Sequence, residues 1–349
     1  MRRTCFLLTV SLLAFAPLPA LAQKTESFHG YAEWRHGSLL VVDGQQVRVD
    51  GRTSMKGAAK DGLDAIELGW EVNVKGSRLE DGTVLARELE ARPNGNGFFE
   101  TDLLDASNQQ EQQWLRDGRV TEEDADGGSK VIGRVDQAGP PVDRVRRILA
   151  RIAPPYADAA RYRVYVVDSA HWNAMAMANG SIWVFRGLLD EMTDDEVAIV
   201  VGHELAHVTH EHLRRDFKKS LWVQAVAVGA IMAAQAIDGE KTRTAVQVGA
   251  AVAALAWQNH YSRGSEDQAD RVGLRYAYEG GYDAARAPRL WERFREKYGD
   301  DPRVLSFFFG SHPRESDRIA RLNRQIVFNY AAANAAADPA PPNAAAAVR

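Results

Sequence analysis

Cysteine is almost absent. The 349 residues hold one, Cys5, within an N-terminal stretch that reads as an export signal. Arg2 and Arg3 form its basic region, Phe6 to Phe15 its apolar core, and Ala20-Leu21-Ala22 a small-x-small cleavage site before Gln23. A chain cleaved there carries no disulfide and no lipobox cysteine. A basic stripe is missing too: 43 Lys and Arg stand against 47 Asp and Glu, a net charge of -4, so no nucleic-acid partner is indicated. Nor is there an uninterrupted apolar run of the roughly 20 residues that a membrane span needs. The signal's core is too short. Two Ala-rich runs, 221–237 and 245–257, are broken by Gln224, Gln235 and Gln247 and joined by the charged connector Asp238-Gly239-Glu240-Lys241. They are expected to form a buried or membrane-apposed helical hairpin, giving peripheral membrane contact and an apolar face toward an outer-membrane partner. The export signal, bacterial in style, points to the periplasm, with secretion or membrane association as alternatives.

The order of patterns predicts an α+β chain in five parts: a signal over 1–22, a small β domain over 23–92, a linker and helix over 93–137, a mainly helical domain with a small sheet over 138–328, and an Ala/Pro-rich tail over 329–349 expected to be disordered. In the first domain, β-like runs at Ser38–Val42, Gln46–Asp50, Trp70–Lys75 and Thr83–Glu90 alternate with Asp43-Gly44 and Asp81-Gly82, which suit tight hairpins. That pattern fits a small all-β barrel, OB-like in size, serving as a docking module or as a structural cap. Pro93 to Gly97 reads as a linker, Phe98 to Asp126 as a helix, and Gly127-Gly128 as a break. An amphipathic helix is expected over Arg144–Ile152 and a strand over Arg161–Asp168.

The chemistry concentrates in His203-Glu204-Leu205-Ala206-His207. Residues four apart share a helix face, so both imidazoles can reach one metal ion while Glu204 meets a water instead of the metal. The helix itself is marked: Thr193 is an N-cap, Glu196 completes a capping box, and Asp194 and Asp195 suit the positive end of the dipole. Its apolar residues lie nearly all round, which predicts deep burial, and buried His and Glu need a partner that a metal would supply. A metzincin would carry a third His at 213; Leu213 excludes that class. His210 and His212 lie at other helical angles and are expected at the surface or in support of the ligands. A second helix opens at Ser262, with Glu266 and Asp270 four apart on one face. Glu266 can ligate zinc while Asp270 accepts the remaining N–H of a ligating His; alternatively both are a solvated acidic first turn.

At this point the chain resembles the HtpX-type gluzincin metallopeptidases, a family that includes the CAAX prenyl proteases and BepA-like periplasmic zinc peptidases. The resemblance rests on His203-Glu204-Leu205-Ala206-His207-Val208 and on Ser262-Arg263-x-x-Glu266-x-x-Ala269-Asp270. Asn173-Ala174-Met175-Ala176 with Gly180 to Leu189, and Ser311-His312-Pro313 with Arg318, extend it across Ala138 to Gln325. It implies one Zn²⁺ per subunit held by His203, His207 and Glu266, with Glu204 as general base and Asp270 orienting a ligand. It places His312 near the metal, as a transition-state electrophile or as a plug that closes the site; read locally, His312 only precedes a helix begun by Pro313. Gly180 to Phe185 is expected as a strand, and in such peptidases an edge strand pairs with extended substrate. Asn173 is either a substrate-orienting group or a turn residue, and Arg318 steadies substrate or loop or is a solvated helix residue. The implied work is hydrolysis of misfolded or stalled envelope proteins, in contact with the outer-membrane assembly machinery. The rival is a chaperone-like assembly factor whose zinc site is latent.

Overall fold

A computed structural model describes residues 25–94, 98–123, 128–155, 157, 161–219, 261–298, 315–326 and 330. The expected signal, the hairpin expected over 221–257, His312 and the chain beyond 330 lie outside the described residues. Among the described residues, no helix is long and apolar enough to cross a membrane.

Six strands build the N-terminal module: β1 (Thr25–His36), β2 (Leu39–Val42), β3 (Gln45–Arg48), β4 (Ser54–Gly57), β5 (Glu71–Arg78) and β6 (Val84–Arg92). They run in the order β3-β2-β1-β5-β6-β4, and a further β3–β6 pairing closes a hydrogen-bonded circuit. Its inward residues, Ala32, Leu40, Val42, Val47, Val72, Val74, Val84 and Leu89, form a core of their own. Asp43 and Gly44 make the β2–β3 hairpin with φ of 45° and 76°, the left-handed pair a two-residue hairpin of this twist requires. Two strands had no expected counterpart, β1 and β4. β1 alternates weakly because Trp34 faces the neighbouring domain, not the core of its own module.

The second sheet has the order β10-β11-β9-β8-β7, from β7 (Arg119–Glu123), β8 (Ser129–Asp136), β9 (Arg163–Asp168), β10 (Ala174–Ala176) and β11 (Ser181–Phe185). The helix expected over 98–126 is shorter: α1 spans Phe98–Asp117. Gly118, at φ 65°, ends it in the left-handed region that glycine adopts without strain. Arg119–Glu123 then pairs with β8, and β8 with β9, so both strands belong to this sheet. A second correction concerns the edge. The 181–185 strand lies inside the sheet, parallel to β9 on one side and antiparallel to β10 on the other; β10 holds the edge.

Both faces of this sheet are covered. Trp114 of α1 packs with Tyr165, Val167, Trp183 and Phe185 on one face. On the other, Val164, Val166, Ile182 and Val184 meet α2 (Pro140–Ile152) and α4 (Asp194–Thr209). Double coverage explains the continuous apolar runs in β9 and β11. The short α3 (Arg186–Glu191) leads into α4; α5 (Arg263–Glu279), α6 (Ala287–Tyr298) and α7 (Glu315–Gln325) complete the layer. Tyr330 corrects the expected tail boundary at 329: it is buried, its ring 4.7 Å from that of Tyr278.

Candidate metal centre

Helix α4 begins with the capping box that its sequence encodes. The Thr193 hydroxyl accepts from the Glu196 backbone N–H, and the Glu196 carboxylate accepts from the Thr193 N–H at 2.9 Å. At α5 the Ser262 hydroxyl accepts from the Ser265 backbone N–H. The two helices then cross at glycines. A Cβ on Gly202 would lie 2.6 Å from the Gly273 carbonyl oxygen, and one on Gly273 would lie 2.5 Å from the His203 nitrogen. Backbone therefore meets backbone, which brings the α5 carboxylates within reach of the α4 imidazoles.

His203, His207 and Glu266 are all buried and converge. The two Nε2 atoms are 3.0 Å apart, and the Glu266 oxygens lie 3.5 Å from His203 Nε2 and 3.4 Å from His207 Nε2. A tetrahedral zinc with Zn–N bonds of about 2.05 Å would set its ligand nitrogens roughly 3.3 Å apart. What lies behind each ring decides what these atoms can be. Asp270 Oδ1 is 3.0 Å from His203 Nδ1, so that nitrogen carries the proton and Nε2 is bare. Behind His207, Nδ1 is 2.9 Å from His212 Nδ1. His212 Nε2 faces Gln268 Oε1 at 3.0 Å. The centre thus gathers two imidazole Nε2 atoms and one carboxyl group, a donor set that fits a divalent cation.

Without a metal, burial governs the electrostatics of the site. Burial, then the charge of Glu266, pushes the Glu204 carboxyl up to about 8, and burial foremost does the same to Glu266, also about 8. Burial would raise Asp270 as well, but Arg318 and His203 outweigh it and hold that carboxyl down at about 2. Burial and the Arg215 charge keep His212 well below its usual value, hence neutral. Glu204 is 1% exposed, its Oε1 without a hydrogen-bond partner among the described residues, and the Ala176 backbone N–H of edge strand β10 faces its carboxylate.

The structure gathers most of the residues singled out in the sequence. His203, Glu204, His207, Glu266 and Asp270 share one buried centre. Arg318 joins it from α7, not as a solvated or substrate-facing group: it is 4% exposed, donates to Asp270 at 2.6 Å and lies 3.6 Å above the Trp291 ring. Asn173 enters β10; its backbone carbonyl accepts from Phe185, while its buried Oδ1 has no partner among the described residues. His210 and His212 are fully buried, which corrects the surface expectation. Helix α4 stops at Thr209, and Glu211 takes φ 50°, so a helical angle no longer describes His212 and its ring swings behind His207. Two aromatics escaped the sequence reading. Tyr261 stacks on His207 with centroids 3.8 Å apart, and Trp291 lies 6.1 Å from His203. Neither carries a motif; only the fold brings them there.

Comparison with known proteins agrees with this geometry. The profile described as Peptidase family M48 matches residues 142–326, and one described as a domain of unknown function, DUF5666, matches residues 29–90. Among curated proteins, the chain is 28% identical over 192 residues to "Metalloendopeptidase OMA1, mitochondrial" of Danio rerio, covering 53% of this chain and 40% of that one. It is 30% identical over 165 residues to "Metalloprotease LoiP" of Escherichia coli (strain K12), covering 47% and 62%. With the "Beta-barrel assembly-enhancing protease" of Yersinia pestis it shares 27% over 170 residues, covering 46% and 33%. In each case the match spans less than two thirds of the relative.

Proposed function

The chain belongs to peptidase family M48, and on that premise we propose that it is a zinc-dependent endopeptidase of the bacterial envelope. The single observation that carries the reading is the buried trio of His203, His207 and Glu266, whose ligand atoms converge, with Glu204 beside it. In this reading the trio holds one Zn²⁺. Bound zinc would supply Lewis acidity, polarising a peptide carbonyl and acidifying a water.

The chain's own residues do the rest. Glu204 Oε1, having no other partner among the described residues, accepts the proton of the attacking water and returns it to the leaving amine. A cation beside Glu204 would favour its ionised form, opposing the burial and the Glu266 charge that raise its carboxyl. Asp270, held by Arg318, keeps the proton of His203 on Nδ1. β10 offers its outer edge to an extended segment of substrate, beside Glu204; recognition through backbone hydrogen bonds asks little of substrate sequence and suits unfolded chains. Asn173 Oδ1, buried and unpartnered at the start of that strand, would accept a substrate N–H. The export signal and the bacterial relatives support a periplasmic site of action. The name of the Yersinia pestis relative supports misassembled outer-membrane proteins as substrates. The N-terminal circuit of strands suits a small barrel of the OB kind.

The test is zinc binding and casein cleavage by the full chain, with His312→Ala beside it. One zinc per chain and cleavage by wild type are expected. Zinc at unit stoichiometry with no cleavage by wild type or His312→Ala would contradict the reading. Cleavage gained only in His312→Ala would favour the latent, plugged form.

A further inference from the structure

The hydrogen-bonded chain behind His207 does not end in the peptidase region. Gln268 Nε2 donates to Glu33 Oε1 at 2.8 Å and to Asp43 Oδ1 at 3.0 Å. Both carboxylates belong to the N-terminal module: Glu33 sits on β1 and Asp43 in the β2–β3 turn. Glu33 is 3% exposed and has two further donors, the Gly44 N–H at 2.8 Å and Arg271 Nη2 at 2.6 Å. Arg215, whose guanidinium lies 3.2 Å above the Tyr31 ring, donates to Gln268 Oε1 at 2.7 Å.

These contacts leave one consistent placement of protons. Carboxylates only accept, so the amide NH₂ of Gln268 faces Glu33 and Asp43, and its oxygen faces Arg215 and His212. An oxygen there makes His212 Nε2 the donor. In the neutral ring, Nδ1 of His212 is then an acceptor, which makes His207 Nδ1 a donor and strips His207 Nε2 of its hydrogen. The module is fixed firmly enough to impose this. Gly69 of the module meets the backbone of His210 so closely that a Cβ would lie 2.8 Å from the His210 Cα. Asn94 donates to the Gly69 carbonyl and to Glu211 at the same turn, and Trp34 and Val41 belong to the main core of the peptidase region.

We propose that the N-terminal β module completes the metal centre: Glu33 and Asp43 orient Gln268, Gln268 sets the tautomer of His212, and His212 sets that of His207. Glu33 and Gln268 are positioning residues, three and two contacts removed from His207. The inference rests on the reading of His207 as a zinc ligand. Loss of a partner behind a metal-binding imidazole typically weakens the metal by about 10- to 100-fold, and this relay places one such partner in a different domain.

The test uses the full chain, with zinc alone as the probe. Zinc affinity is read by competition with a chromophoric chelator, and the ring tautomers of the metal-free protein by imidazole nitrogen-15 spectra. Gln268→Leu is expected to weaken zinc by about 10- to 100-fold and to give His207 a mixture of tautomers. Glu33→Leu is expected to weaken it in the same direction from within the β module. Glu33→Gln keeps an acceptor toward Gln268 and should recover most of the affinity, whereas Lys75→Ala, at an exposed ion pair of the same module, should leave it unchanged. Zinc binding within twofold of wild type in Gln268→Leu and Glu33→Leu, or a single Nδ1-protonated His207 in both, would overturn the relay. Equal losses in Glu33→Leu and Glu33→Gln, tracking the melting temperature of the metal-free forms, would overturn it too, as a purely structural effect. If instead wild type binds no zinc, or His207→Ala binds it as tightly, the metal-site reading itself fails.

Discussion

Glu204 and Glu266 carry the electrostatic strain of the centre, each with its carboxyl raised to about 8, chiefly by burial. An unfolded carboxyl ionises near 4.3. Between those values the metal-free folded chain holds protons that the unfolded chain has released, so folding stability falls as pH rises. The contribution is complete below about 4.3 and gone above about 8. The metal-free protein should therefore melt at a lower temperature at pH 8 than at pH 5, and the stabilisation by added zinc should grow over the same interval. Thermal scans with and without chelator check this; a metal-free melting temperature that climbs from pH 5 to pH 8 would contradict it. Arg318 supplies the opposite case, a buried charge whose partner, Asp270, stays ionised because of it. Arg318→Met should cost about 3–5 kcal/mol, since it leaves that carboxylate buried and unpaired. Urea unfolding measures the loss; a change below about 1 kcal/mol, the scale of an exposed pair, would show that the pair is not buried in solution.

Helices α4 and α5 announce themselves through caps and spacing, because Thr193-x-x-Glu196, His203-x-x-x-His207 and Glu266-x-x-x-Asp270 are local patterns governed by local geometry. Their crossing is not local. Nothing in the sequence pairs Gly202 with Gly273, yet that contact sets the distance from His203 to Glu266. The same limit hid His212, whose place depends on the turn at Glu211, and Tyr261, whose stacking on His207 is purely tertiary. It hid β10 as well: three residues are too short for a period-2 pattern, so the longer 181–185 strand drew the edge assignment. Gly273→Ala tests the crossing. The added methyl must separate the helices, at a cost of about 1–3 kcal/mol, and should weaken zinc binding together with folding. Chelator competition and denaturant unfolding on one sample read both; unchanged zinc affinity beside a lost kilocalorie would separate the crossing from the site.

At the scale of the whole molecule, the division into a β module and a peptidase region was legible from the hairpin signals before Ala91 and the metal motif after Ala198. Their joining was not, because Glu33, Trp34 and Asp43 look like ordinary residues of a small β domain. The structure puts Trp34 and Val41 into the core that also holds Val201, Leu205 and Tyr276, with Trp34 and Tyr276 ring centroids 6.3 Å apart. Two regions sharing a core should unfold together, so calorimetry should show one transition, lowered by Trp34→Ala by about 3–5 kcal/mol. Two resolved transitions in wild type would mean that the module is only loosely docked. The measurement closest to the central claim compares hydrolysis of unfolded casein by wild type and Glu204→Gln at equal zinc content. General base catalysis contributes about 10²- to 10⁴-fold, so the account predicts a loss of that size with zinc still bound at one per chain. Cleavage by Glu204→Gln within a few-fold of wild type would contradict it.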